Sequence, residues 1–375
     1  MQIQAAVLHA PQSALALENL TLEAPRGDEI RVRLVATGVC HTDIAMLSRP
    51  FPVPQPIVLG HEGAGIVESV GRAVRKVKPG DRVLMSYNFC GACPSCQGHA
   101  TSYCHDFAST NFVGLRQDGS AALSLGQTPV RHNFFGQSSF ATHCLCTEKN
   151  VIPVPDDVSD AAFELMGPLG CGIQTGAGAV INVLRPQLGQ SLVVFGAGAV
   201  GLAGLMAARA IGVGLLIAVD KVPARLALAR ELGATHTIDV SQVADVAAEI
   251  RRLTGHGADF SLDTTGLPAV TRQALDALGP LGMCGFVGGA AVGAELAVDV
   301  RDMMLQGKSL RGIVEGDANA DVFIPTLIRM HQQGRLPLEK LVRVYPFEAI
   351  NDAIADAKSG VTVKPILRFP HASTA

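Results

Sequence analysis

Four cysteines crowd into one short stretch, Cys90, Cys93, Cys96 and Cys104, with the spacing Cys-x2-Cys-x2-Cys-x7-Cys. Thiols at that density converge on a single ion if the loop wraps around it, and four thiolates in a closed tetrahedron suit a structural zinc. The pairs between them, Gly91-Ala92 and Pro94-Ser95, are turn formers, as a metal knuckle requires. An iron–sulfur cluster is the other metal group that four thiolates bind. Left unclaimed, so many thiols would be an oxidation liability. His99 and His105 stand beside these ligands, but four sulfurs already complete a tetrahedron, so both read as solvated loop residues.

A second set of residues suits a dinucleotide. Val193-Val194-Phe195 reads as a strand, followed by Gly196, Gly198 and Gly201 in a Gly-x-Gly-x-x-Gly run that opens a helix. In such a turn the first glycine permits the tight bend, the second lets backbone approach a pyrophosphate and the third lets helix and strand pack closely. The helix N-terminus then offers free N–H groups and partial positive charge to the diphosphate. Asp220 ends the next strand nineteen residues beyond Gly201, where a carboxylate accepts from ribose hydroxyls and repels a 2′-phosphate. NAD is therefore favoured over NADP. Lys221 and Arg225 bring cations nearby that soften this preference, and Arg225 counts among the cofactor-binding candidates.

The third set is dispersed: Cys40-His41-Thr42-Asp43, then Gly60-His61-Glu62, then Gly170-Cys171-Gly172. Two cysteines and a histidine can give zinc three ligands and leave a fourth position open. Spacing alone does not join them. A lone Cys171 equally reads as a small buried apolar residue, and a lone His61 as a hydrogen-bonded core histidine.

The elements around these residues fall into two patterns. Up to about residue 160, short β-like runs such as Ile30–Ala36, Ile66–Val70 and Arg82–Met85 alternate with Gly/Pro turns, which predicts a barrel or sandwich-like β region. After about residue 173, six predicted strands alternate with helices: Leu192–Phe195, Leu215–Val219, Thr235–Ile238, Phe260–Asp263, Met283–Val287 and Ser309–Val314. That alternation indicates an α/β doubly wound parallel sheet. From about Gly316 the tail offers one clear helix, Val322–Gln333, and a strand-like Val363–Phe369.

Composition narrows the function classes. The 375 residues, 48% hydrophobic and 17% charged, are globular, and at roughly 150 residues per domain they suggest two or three domains. A net charge of −3 without a basic run argues against a nucleic-acid partner or an acidic membrane surface. Residues 165–184 and 186–208 are uncharged up to Ala208 and long enough to span a bilayer, but their glycines and the opening Pro186 argue against a membrane helix. Nine cysteines, an odd number, and an N-terminus unlike a signal peptide point to reduced thiols and a cytoplasmic location.

The ordered set of motifs resembles the zinc-dependent medium-chain alcohol dehydrogenases over essentially the whole chain. Gly60-His61-Glu62-x2-Gly65-x5-Gly71-x2-Val74 matches that family's zinc signature, and the cysteine loop and glycine run follow in the family's order. Cys40-His-Thr-Asp, Phe135-Gly-Gln-Ser-Ser-Phe140 and Gly167-Pro-Leu-Gly-Cys-Gly-Ile-Gln-Thr-Gly176 resemble the aryl (benzyl) alcohol dehydrogenases. Geraniol dehydrogenase and related terpene-alcohol enzymes share much of that pattern. The resemblance implies a GroES-like β-rich catalytic domain over 1–172, an inserted Rossmann domain over 173–313 and a return to the catalytic domain over 314–375.

It also implies roles. Cys40, His61 and Cys171 match the ligands of a catalytic zinc, and Cys90, Cys93, Cys96 and Cys104 those of a structural zinc. Glu62 matches a carboxylate behind the metal, Asp43 the acid that orients the histidine ligand, and Thr42 the hydroxyl that begins proton transfer. Lys364 and His41 match pyrophosphate-binding positions, while His41 is also a candidate to pass a proton to solvent. Some members carry a further relay histidine at the position of Ala45 here. Phe134 and Phe135 match positions lining the substrate cleft. The implied activity is reversible, NAD-dependent oxidation of aromatic primary alcohols to aldehydes, with geraniol-type allylic alcohols as the alternative and a dimer or tetramer as the assembly.

Overall fold

The computed structural model describes residues 1–48 and 54–370. The chain forms two compact units: Met1–Cys171 with Asn319–Gln332 and the segment from Pro337, and Gly172–Ala318 with Gln333–Leu336.

The first unit is β-rich, with a five-stranded and a seven-stranded sheet. Glu29–Gly38 is the central strand of the larger sheet, paired antiparallel with Gly63–Val70, His143–Thr147 and Lys364–Arg368. Its sequence explains its place: Ile30, Val32, Leu34 and Ala36 are buried while Arg31 and Arg33 lie nearer solvent, the two-residue period of a sheet with one core face. The register Ile366↔Gly38 brings the last strand back onto the first part of the chain. The tail contains more structure than the sequence reading gives it. A strand Val342–Pro346 pairs parallel with Lys364–Arg368, and a second helix spans Ile350–Ser359. In that helix Ile350, Ala353 and Ile354 are buried, a helical period over one narrow stripe.

The second unit carries six parallel strands. Across the sheet they run His236–Asp239, Leu215–Asp220, Ser191–Phe195, Ala258–Asp263, Leu278–Phe286 and Ser309–Gly312. In chain order that is 3-2-1-4-5-6, the order of a doubly wound Rossmann sheet. Ligands bind such sheets at the carboxyl ends of the strands where the order reverses, here beside Phe195. The glycine-dense stretch before it forms a short helix, Gly172–Gly178, and a π-helical turn, Ala179–Leu184. A Cβ on Gly176 would lie 1.9 Å from the Val200 carbonyl oxygen, so the glycine permits close contact with the helix Ala199–Ala210. No described helix is long and apolar enough to cross a membrane.

Candidate active site

Three separate segments of the first unit deliver the dispersed residues. Cys40 precedes the helix His41–Ser48, and its carbonyl accepts the first helical bond, from Ile44. His61 follows Gly60, whose φ is +90° and whose Cβ, if present, would lie 2.5 Å from the Phe140 backbone nitrogen. Only glycine fits there. Cys171 ends the turn Gly167–Gly170. The potential ligand atoms of Cys40, His61 and Cys171 all lie within 4.8 Å of one another, and all three residues are buried. The fold joins what spacing left apart.

Asp43 organises this cluster. Its Oδ2 accepts the Cys40 N–H at 2.9 Å, and its Oδ1 accepts the Gly60 N–H at 3.1 Å and lies 2.9 Å from His61 Nδ1. With Nδ1 committed, Nε2 is left buried with no hydrogen-bond partner among the described residues. An orphaned imidazole nitrogen between two sulfurs fits a zinc ion with an open fourth position. Electrostatics agree. A hydrogen bond from Cys171 holds the Cys40 thiol well below the ordinary range against the effect of burial, aided by the charges of Lys364 and His61. Burial opposes protonation of His61, but Asp43 and Cys40 outweigh it and raise its pKa.

Glu62 lies wholly buried behind this cluster, both carboxylate oxygens 2.9 Å from Lys364 Nζ. A Cβ on Gly38 would sit 2.0 Å from Glu62 Oε2, so the strand end is shaped to admit that carboxylate. Burial pushes the Glu62 pKa up, countered by the Lys364 charge. The ammonium of Lys364, matched by resemblance to a pyrophosphate, is thus engaged with a carboxylate inside the first unit. Thr42 Oγ1 lies 3.9 Å from Cys40 Sγ, and His41 is exposed.

Phe134 and Phe135 are both buried in the core of the first unit. Phe135 stacks on the His61 ring with centroids 4.5 Å apart, and Phe134 meets the same ring edge-on at 5.5 Å. Two residues that the sequence reading passed over complete the frame. Gln137 Nε2 donates to the carbonyls of His61 and Ser86, and its Oε1 accepts the Gly63 N–H. Ser86 Oγ donates to the Gly170 carbonyl at 2.6 Å, next to Cys171. The polar run Gln137-Ser138-Ser139 is the sequence signal that could have marked Gln137; no such signal attends Ser86.

The four clustered cysteines converge as well, their sulfurs within 4.8 Å of one another and none in a disulfide. Neither His99 nor His105 joins the set. Backbone N–H groups donate to the sulfurs: Cys90 N to Cys104, Cys93 N to Cys90, and His105 N to Cys93. The His105 N–H, with that of Cys96, draws the Cys93 pKa down to about 6, while burial pushes Cys96 up to about 12. A closed four-sulfur cage with amide donors around it fits a structural zinc.

In the second unit, Gly196 has φ +92°, and a Cβ on Gly201 would lie 1.9 Å from the Gly196 carbonyl oxygen. Nothing lies within 4 Å of where a Gly198 Cβ would be. The open space before the helix Ala199–Ala210 is of a kind that suits a diphosphate. Asp220 closes the loop: Oδ2 accepts the Ala197 N–H at 2.7 Å, and Oδ1 accepts those of Lys221 and Val222. Arg225 Nε is buried without a partner among the described residues.

Comparison with known proteins places this geometry. Residues 26–156 match the alcohol dehydrogenase GroES-like domain, and residues 199–330 match the zinc-binding dehydrogenase domain. The geraniol dehydrogenase of Castellaniella defragrans is 46% identical over 98% of this chain and 97% of its own. Among solved structures, an alcohol dehydrogenase zinc-binding domain protein from Burkholderia ambifaria is 51% identical with a TM-score of 0.96, covering 99% of this chain and 100% of its own. The benzyl alcohol dehydrogenase of Acinetobacter calcoaceticus is 45% identical with a TM-score of 0.95, again over 99% and 100% of the two chains.

Proposed function

Since this chain belongs to the zinc-dependent medium-chain alcohol dehydrogenases and takes zinc and NAD as its cofactors, we propose that it oxidises aromatic primary alcohols of the benzyl alcohol type, reversibly, to aldehydes. The observation that carries this reading is the buried Cys40–His61–Cys171 cluster with its orphaned Nε2, set against an aromatic wall. The rings of Phe107, Phe112, Phe134 and Phe135 pack against one another beside His61. Such rings suit a flat substrate by offset or edge contact. Allylic terpene alcohols are the second reading, supported by the geraniol dehydrogenase among the relatives.

When bound, zinc supplies a Lewis acid for the carbinol oxygen and NAD the hydride acceptor. The chain's own residues do the rest. Cys40, His61 and Cys171 hold the metal, and Asp43 fixes the tautomer of His61 through Nδ1. Thr42 accepts the hydroxyl proton as it releases its own, which the exposed His41 takes up and passes to solvent. Gly196, Gly198 and Gly201 admit the diphosphate to the helix N-terminus, with Asp220 and Arg225 at the adenosine end. The four-cysteine cage holds the structural zinc. Resemblance supports a dimer or tetramer, and nine cysteines with no disulfide among the described residues support the cytoplasm.

The test is kcat/KM for benzyl alcohol, geraniol and ethanol with NAD and with NADP. A preference for benzyl alcohol with NAD supports the reading; a preference for geraniol establishes the second one, and preference for ethanol overturns both.

A further inference from the structure

The segment from Asn133 to Ser138 is the most strained stretch beside the site. Asn133, Phe135 and Ser138 have φ of 67°, 52° and 51°, in the left-handed region, and Gly136 has φ of 69°. For a bulky side chain such as Phe135 this conformation is a genuine outlier, costing on the order of 1–3 kcal/mol, and it persists only where surrounding contacts impose it. Those contacts are on the page. Ser138 Oγ donates to the Val58 carbonyl at 2.6 Å and accepts the Phe134 N–H at 3.0 Å. Gln137 ties the backbones of His61, Gly63 and Ser86 together. Asn150 Nδ2 donates to the Gly136 carbonyl at 3.0 Å. Every anchor is buried.

What the strain achieves is the placement of one ring. Phe135 lies nearly parallel to the His61 imidazole, 26° between planes, while Phe134 closes on it at 84°. Hydrogen bonding through Nδ1 to Asp43 fixes the edge of the imidazole but still permits rotation about the line of that bond. A stacked ring removes this remaining freedom, because tilting the imidazole drives it into Phe135. We propose that Phe135 is a positioning residue for the metal ligand: with Asp43 it locks the plane of His61 and so the direction of Nε2. This rests on the reading of Cys40, His61 and Cys171 as zinc ligands, and it assigns Phe135 a part beyond lining a substrate pocket.

The experiment compares wild type, Phe135→Leu and Phe135→Tyr for zinc content, zinc release to a chelator, and kcat and KM for benzyl alcohol. Removing the ring is expected to speed release of one of two zinc ions by about ten-fold and to lower kcat more than it raises KM. The second zinc, held by the four cysteines, is expected to leave at the wild-type rate. Phe135→Tyr keeps the ring and is expected to retain zinc as wild type does. The absorption bands of the cobalt-substituted site are expected to shift in Phe135→Leu and not in Phe135→Tyr. Should the leucine variant fail to fold, Phe135→Met keeps the volume without the ring and serves the same comparison. Unchanged zinc release and cobalt bands, with a rise in KM alone, would overturn the proposal and leave Phe135 a pocket wall. A wild-type protein holding a single zinc would instead defeat the reading of the cluster itself.

Discussion

A single carboxylate oxygen, Oδ1 of Asp43, lies 2.9 Å from His61 Nδ1 while accepting the Gly60 N–H at 3.1 Å. The backbone before the candidate ligand and one edge of its ring are thereby set by one residue: the Gly60 bond fixes the former, and the Nδ1 contact the latter. Asp43→Asn keeps the shape and removes the charge. Zinc affinity of the Cys40–His61–Cys171 site is expected to fall 10–100-fold, roughly the cost of losing such an outer partner. Chelator competition with zinc analysis checks this; unchanged affinity would leave Asp43 a purely structural helix residue.

The glycine loop separates cofactor effects from folding effects. Gly198→Val enters open space at an ordinary φ of −83°, so the thermal midpoint should hold. Its side chain would fill the proposed diphosphate cradle, and KM for NAD is expected to rise about ten-fold or more, a loss of at least 1.4 kcal/mol. Gly201→Ala meets the Gly196 carbonyl oxygen at 1.9 Å and is expected to cost about 1–3 kcal/mol of stability. Thermal melts beside NAD titrations distinguish the two; a destabilised Gly198→Val with unchanged KM would remove the cradle from the account.

Lys364 and Glu62 form a buried pair, the ammonium 3% exposed and the carboxylate 0%. Burial works against the charge on Lys364, yet Glu62 and Cys40 outweigh it and hold the pKa raised. Lys364→Met takes the cation away from a buried carboxylate and is expected to cost about 3–5 kcal/mol. Adding Glu62→Gln should recover much of that loss. Urea unfolding of the single and double variants measures the coupling, and additive losses would mean the two groups do not act as a pair.

Stability should also depend on pH through His132. Burial, reinforced by the charge of Arg116, pushes its pKa down to about 4 from an ordinary 6.5. Its Nδ1 accepts the Ala122 N–H at 3.4 Å, the arrangement of a neutral ring. Above pH 6.5 the ring is neutral in both folded and unfolded chains. As pH falls from 6.5 to about 4 the unfolded chain takes up the proton first, so stability drops across that window by up to about 3 kcal/mol. Below it the loss levels off. His132→Asn is expected to show a shallower decline in urea midpoint between pH 7.5 and 4.5. Metal loss at acid pH is common to both proteins and cancels; identical slopes would count against His132 as the source.

Much of this arrangement was legible in the residues, for a physical reason. Motifs whose chemistry is local, such as the Cys90–Cys104 knuckle and the Gly196–Gly201 turn, carry ligand type and spacing in one stretch. The six parallel strands were legible because each is short and set between helices, Ser191–Phe195 and Leu215–Asp220 as near-continuous apolar runs. The helix Ile350–Ser359 has a helical period at Ile350, Ala353 and Ile354 and Gly360 at its end, a pattern that was readable but passed over. Other features depend on segments distant in sequence. Lys364 meets Glu62 because the last strand pairs with Glu29–Gly38. Phe135 reaches His61, and Gln137 holds it, through a strained turn whose left-handed φ values follow from tertiary contacts and not from local preference. No periodicity announces such a contact.

The most direct test of the central claim, that Cys40, His61 and Cys171 hold the zinc on which alcohol oxidation depends, is metal analysis of Cys171→Ala beside wild type with NADH formation from benzyl alcohol. The expected result is two zinc ions per wild-type chain and one in the variant, with turnover abolished and the four-cysteine site still loaded. Two zinc ions retained in the variant, with turnover intact, would contradict it.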